Sequence, residues 1–367
     1  MYLRLKQHHP TGIAGATQTQ GDAPTLVSLR DELLRRHYVA FDWQNGGPPG
    51  PVKFVDVHQL ELAGHLARTG DERARLMVEH YVRGIDRLIT RPDSGAAHYA
   101  TGPAWNTPSP TRTLAGQAVV IQALVIAGRL ERSCAHARVV PELARFATAR
   151  WIDPISGDRR ANGNTDNRAA ACELAWYVSA LAAFSEVYDD ARLRAAAHRG
   201  FGQLTSRLLG AHRELHHPRP GLTLPDHVAI ATLASEFSAA RGDVGLAQSA
   251  RRLLVACARR HAHPAGGWIQ AYRDGAPPDL DCSIDFVRAA DALHSRDHPE
   301  LARIAATGKR SLFKPESALA RTPESGLLLL LTDTSGDSAP CGTNVPGQNR
   351  GSGFLQDWDK LLVNVRI

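Results

Sequence analysis

Two kinds of apolar pattern alternate along the chain. Segments such as GDERARLMVEHYVRGI from Gly70, RSCAHARVVPELARFATARW from Arg132, DDARLRAAAHRGFGQL from Asp189, GDVGLAQSARRLLVAC from Gly242 and RDHPELARIAATG from Arg296 carry apolar residues at helical spacing, with Arg and Glu on the other side. That is the pattern of a surface helix with one buried stripe. Most open beside an Asp, whose side chain accepts the orphan amide hydrogen bonds of a helix start. The starts recur roughly every 50 to 60 residues, a period that points to a structural repeat.

Between them lie segments of another character. KFVDVHQLELAGHLART, TRTLAGQAVVIQALVIAGRL, NRAAACELAWYVSALAAFSEVY, PDHVAIATLASEFSAA, DCSIDFVRAADALHS and ESGLLLLLTDT are rich in Ala and Leu and carry little charge after the first turn. A helix that is apolar most of the way round is a buried one. With LVSLRDELLRRHY as the opening helix, the chain reads as about six pairs, an amphipathic outer helix followed by an apolar inner one.

Period-2 alternation is almost absent, so an all-α fold is expected: an (α/α)6 toroid of six helical hairpins, its inner helices lining a central funnel. An open α-solenoid is the competing arrangement. The apolar inner helices favour the toroid, and so do the loops. Connections from outer to inner helices are long, whereas inner-to-outer turns such as RTGDE and AARGD are tight. Loops that are long on one face only mark the working face. The expected divisions are an N-terminal extension over 1–23, the toroid over 24–335, and a polar loop with a short docking segment over 336–367.

Composition narrows the function classes. The chain has 367 residues, 43% hydrophobic and 22% charged, an ordinary globular mixture with enough length for a large core. The net charge of +6 comes from scattered arginines rather than a basic run with interleaved aromatics, so no nucleic-acid partner is expected. The five cysteines form no CxxC pair and are odd in number, which fits a reducing, cytoplasmic setting. Apolar runs such as Leu327 to Leu331 are far too short to cross a membrane. Neither a phosphate loop nor a GxSxG elbow is present, and the His-rich HRELHHPRP lacks an HExxH or a spaced Cys/His set. No cofactor and no metal are expected.

The long loops concentrate the unusual residues. The first holds Trp43, Asp56 and His58; the second His98, Tyr99 and Trp105; the third Asn164 and Asp166. A fourth brings Asp226 and His227, and a fifth Trp268, Tyr272, Asp281 and Asp285. Aromatic faces stack on the apolar faces of sugar rings, amides and carboxylates bind hydroxyls, and two carboxylates supply acid and base. Asp281 and Asp285 stand four apart on one helical face and form the best carboxylate pair, since such a pair repels unless a proton or cation separates it. Asp226 reads as an N-cap, leaving His227 as the functional group. The expected catalytic set is Asp56, Asp166, His227, Asp281 and Asp285. The expected binding set is Trp43, His58, His98, Tyr99, Trp105, Asn164, Trp268 and Tyr272, with the three tryptophans as stacking platforms.

The stretch from Asp42 to Ile85 resembles the helical domain of bacterial YyaL-type thioredoxin-domain proteins, within the six-hairpin glycosidase-like superfamily. The resemblance rests on Asp42, the Gly46–Gly47 turn, PVKF and RTGDERARLMVEH, then on His98, Tyr99, Trp105 and Pro108 in AHYATGPAWNTPS. It departs after Pro108, where Ser109, Pro110, Thr111 and Arg112 replace a polar cluster, and no WCxWC-type motif is present. The resemblance implies a hydrolase, lyase or epimerase acting on a carbohydrate or related polyol at a central funnel. The alternative is a non-catalytic helical scaffold or ligand-binding protein that kept the fold and lost the chemistry.

Overall fold

Side-chain oxygens set most of the helix starts. Asp56 accepts from the Gln59 amide, Asp71 from that of Ala74, Thr113 from that of Gly116 and Asp243 from that of Leu246. Each satisfies one of the orphan donors that a helix N-terminus leaves. The computed structural model describes residues 26–151, 170–209, 222–263, 268, 280–294 and 299–312.

The helices are Leu26–Val39 (α1), Val57–Arg68 (α2), Glu72–Leu88 (α3), Leu114–Leu130 (α4), Cys134–Trp151 (α5) and Ala170–Val187 (α6). Ala191–Leu209 (α7), Leu224–Arg241 (α8), Val244–His261 (α9), Leu280–Leu293 (α10) and Pro299–Leu312 (α11) follow. The even-numbered ones are the apolar segments. Each packs against the next, α2 on α4, α4 on α6, α6 on α8 and α8 on α10, with odd-numbered helices behind them. The chain is an all-α toroid, as the alternation of patterns leads one to expect. The sixth inner helix expected over 324–334, the extension over 1–23 and the docking segment over 336–367 lie outside the described residues.

The inner-to-outer turns are as tight as their sequences suggest. Gly242 takes a left-handed backbone (φ 65°) that ends α8, and Asp243 at once caps α9. At the α6–α7 junction Asp190 accepts from the amides of Arg192 and Leu193.

The first two long loops are joined by a small antiparallel sheet. Val52–Lys53 (β1) pairs with Ala100–Thr101 (β2), which pairs with Thr107–Pro108 (β3). Two-residue strands carry no readable alternation, so the sequence gives no sign of them. Beneath this sheet lies a buried ion pair. Lys53 is wholly buried (0% side-chain exposure) and its Nζ donates to Asp42 Oδ2 at 2.7 Å and to the Pro48 carbonyl at 2.7 Å. Burial alone would raise the Asp42 carboxyl, but Lys53 and Asn45 outweigh it and hold the group below its ordinary range.

Candidate functional site

Among the described residues, each of the inner helices α4, α6 and α8 has inner neighbours on both flanks and outer helices behind it, so it is open to solvent only toward the axis. The partly exposed positions on these three helices therefore line the axial lumen, and those on α2 and α10 recur at the same helical spacing. On α2 they include His58, Glu61 and His65; on α4, Ala115, Val119, Gln122 and Arg129. On α6 they include Glu173, Trp176, Ser179 and Glu186; on α8, Thr232 and Ser235; on α10, Asp285, Arg288 and Ala292. Steps of three and four residues keep each set on one face.

Two rungs join α2 to α10. His58 Nε2 lies 3.0 Å from Asp285 Oδ1, and Arg288 Nη2 donates to Glu61 Oε2 at 2.9 Å. The second rung lies three residues beyond the first on both helices and in the same sense, so α2 and α10 run parallel. Their N-terminal turns share one end of the toroid, which is the end the long loops reach.

The first rung is enclosed and yet accessible. Burial is the largest influence on the proton affinity of both groups, while the side chains keep 24% (His58) and 41% (Asp285) of their exposure. A group that is both surrounded by protein and wetted lies in a concavity. Burial would depress the His58 imidazole, but Asp285, with help from Glu61 and against Arg288, lifts it to about 9. The Asp285 carboxyl is held below its ordinary range because His58 and Arg288 outweigh its burial. At neutral pH this is an imidazolium–carboxylate pair.

The remaining expected site residues divide sharply. Asp56 is half-buried and spends its carboxylate on the α2 N-terminus. Asp226 is fully buried at the third position of α8, where it accepts from the Thr223 amide and hydroxyl and from the Cys172 amide of α6. The N-cap is Thr223, which corrects the expectation for Asp226. His227 turns away from the lumen. Its Nδ1 lies 2.7 Å from the Thr223 carbonyl, its ring is 6.0 Å from that of His261 on the outer helix α9, and burial drives it down to about 4. A helix start puts consecutive residues on different faces: both are buried here, Asp226 against α6 and His227 toward the outer layer.

The tryptophans expected as platforms are staples. Trp105 has 0% exposure and a left-handed backbone (φ 60°), and its indole donates to the carbonyls of Asn45 and Gly46. A Cβ on Gly47 would stand 2.7 Å from its ring, and one on Gly84 2.6 Å, so both glycines are bare to admit it. Trp43 donates to the Tyr38 carbonyl and lies under the Arg73 guanidinium, 5.4 Å from its ring centroid, against the outer helices α1 and α3. Trp268 donates to the Ala258 carbonyl and packs on Phe286 at 4.7 Å between centroids. All three fasten loops to helices; Trp105 and Trp268 are buried, and Trp43 is partly so.

His98 and Tyr99 stand edge-to-face at 6.2 Å in the second loop, where His98 Nδ1 lies 3.0 Å from the hydroxyl of Thr113, the α4 N-cap. Asn164, Asp166 and Tyr272 lie outside the described residues, as does the side chain of Asp281. Among the described residues, no group of three or more His, Cys, Asp or Glu is arranged to hold a metal ion, and no helix is long and apolar enough to cross a membrane.

Trp176, Glu61 and Arg288 are partly exposed within the inner helices, outside the loops in which the sequence concentrates unusual residues. Their signal was present within the inner helices. Glu173, Trp176 and Ser179 recur every three residues in a helix otherwise built of Ala, Leu, Val and Phe.

No family model matches the chain, and no curated protein matches it. Solved structures do. Cellobiose 2-epimerase from Spirochaeta thermophila DSM 6192 superposes with a TM-score of 0.61 at 14% identity, over 83% of this chain and 93% of that one. A D-mannose isomerase gives 0.62 at 13% identity, over 81% and 88%. An α-1,6-mannanase of Salegentibacter sp. HEL1_6, in complex with α-1,6-mannotriose, gives 0.55 at 12% identity, over 84% and 98%. At these identities what is shared is the fold, and the chain has the helical toroid of these carbohydrate-acting enzymes.

Proposed function

We propose that this protein binds a carbohydrate or related polyol in the axial lumen and moves a proton on the carbon next to a sugar carbonyl, as an epimerase or isomerase does. The observation that carries the reading is the His58–Asp285 pair, enclosed, accessible and charged at neutral pH. A fixed imidazolium favours transition states in which negative charge develops on oxygen, as when a sugar carbonyl enolises. It disfavours the oxocarbenium-like transition state of glycoside hydrolysis. Of the three reactions the resemblance implies, the pair thus argues for epimerisation or elimination over hydrolysis.

In this reading His58 donates its hydrogen bond, and at the end of the step its proton, to the carbonyl oxygen. Asp285 holds the ring in place and keeps it charged. Glu173, in the first turn of α6 and on the accessible stripe, takes the proton from carbon. Trp176, one turn further along, offers an aromatic wall for the apolar face of the sugar. The epimerase, isomerase and mannanase structures of the same fold support a sugar as the ligand class. The kinship with YyaL-type helical domains is part of the same proposal, although the residues carrying it here build a loop scaffold around Lys53 and Trp105.

One observation favours the second reading, a non-catalytic scaffold. Both rungs match an acid with a base, so each is satisfied without a ligand. Thermal denaturation across a panel of aldoses, ketoses, disaccharides and sugar phosphates separates the two. A sugar that binds the folded lumen raises the melting temperature with concentration by mass action. A flat response to every sugar would remove the first reading and leave the scaffold.

A further inference from the structure

Toward the C-terminal ends of α6 and α8, two carboxyls lie along the seam between these helices. Glu236 of α8 is 6% exposed, and its Oε2 accepts from the Ser179 hydroxyl of α6 at 3.0 Å. Glu186 lies seven residues beyond Ser179, two turns along the same face of α6, and its buried Oε2 has no hydrogen-bond partner. The positive charges whose fields reach the two acids are Arg129, at the end of α4, and Arg194 on α7. Arg194 is also bonded to Asp189 at 2.9 Å and to the Ser185 carbonyl at 3.3 Å. On α10, which packs against α8 from its other flank, Asp291 is paired with Lys309 of α11 at 2.8 Å.

A carboxylate buried on a hydroxyl donor is poorly solvated, and a second one beside it adds repulsion. A proton on either acid removes one buried charge and the repulsion with it. We propose that Glu186 and Glu236 form a proton-binding site in the α6–α8 seam, whose emptying loosens the hold of these two inner helices on each other. Burial pushes each carboxyl up to about 7; the Ser179 hydroxyl pulls Glu236 back, Glu186 pushes it further up, and Arg129 opposes the rise in both.

The sign follows from linkage. In the unfolded chain these groups titrate at 4.5, and in the folded one at about 7. Between those values the folded state keeps a proton that the unfolded state has lost, so stability falls as pH rises through the window and stays at its lower value above it.

Two measurements test this. In the unmodified chain with isotope-labelled glutamate, infrared spectroscopy at about pH 6 is expected to show a protonated carboxyl band that is gone by about pH 8.5. Melting temperatures between about pH 5 and 6.5, below the window in which His58 loses its proton, are expected to fall with pH in the parent and to fall less in Glu236→Gln, which mimics the protonated acid and melts higher than the parent at the alkaline end. An absent band at the acid end, or an unchanged fall in Glu236→Gln, overturns the proposal. The infrared measurement needs no variant, so it decides even where the substituted chain fails to fold.

Discussion

His58 Nε2 stands 3.0 Å from Asp285 Oδ1, joining the first inner helix to the fifth, between residues 227 apart in sequence. Because Asp285 is the main influence opposing burial, the charge of His58 depends on it. Asp285→Asn is therefore expected to drop the His58 titration from about 9 to below its ordinary 6.5. Imidazole NMR titration checks this. A His58 that still titrates near 9 in the variant would mean that another group holds it charged. In the parent, the folded pKa is raised, so the stability this pair contributes is complete below about 6.5 and is lost as pH rises through about 9.

The Lys53–Asp42 pair lies beneath the loop sheet, and the lysine is fully buried. Removing one partner of a buried pair leaves the other charge uncompensated. Lys53→Met is expected to lose about 3 kcal/mol of stability in a denaturant titration. A loss under about 1 kcal/mol would show that Asn45 alone suffices to satisfy Asp42.

Gly47 and Gly50 provide a paired comparison. Both have positive φ, 72° and 113°, but a Cβ on Gly47 meets the Trp105 ring while one on Gly50 meets nothing within 4 Å. Each alanine substitution carries the backbone penalty, and only Gly47→Ala adds overpacking. Gly47→Ala is expected to be the more destabilising by about 1–3 kcal/mol. Equal losses would mean the Trp105 staple yields freely.

Trp176 separates binding from folding. On the stripe open to the lumen, its truncation is expected to weaken sugar binding at least tenfold, or about 1.4 kcal/mol, as read from the ligand-induced rise in melting temperature. Trp105→Ala is expected instead to cost about 3–5 kcal/mol of stability through the cavity it leaves. If Trp176→Ala binds sugar as the parent does, the aromatic wall is elsewhere.

Much of the fold was legible because helix amphipathicity reports directly on which layer a helix occupies. Segments such as TRTLAGQAVVIQALVIAGRL could only be inner, and the Gly-Asp turn before α9 both ended one helix and capped the next. The site was less legible. Asp285 was noticed for its spacing from Asp281, but its partner is His58, and nothing local reveals a contact between helices so far apart in sequence. Tryptophan identity does not say whether an indole is pinned, and Trp43, Trp105 and Trp268 each donate to a backbone carbonyl. The Gly46–Gly47 turn and PVKF build structure: Gly47 makes room for Trp105, and Lys53 is locked to Asp42.

Hydrogen isotope exchange tests the central claim most directly. The protein is incubated in heavy water with each sugar that raises its melting temperature, and proton NMR follows the position next to the carbonyl. Deuterium is expected to enter at that carbon, and the rate is expected to fall by about 10² to 10⁴ in His58→Gln and in Glu173→Gln. A bound sugar that never exchanges, or one that exchanges as fast without His58, would contradict the account.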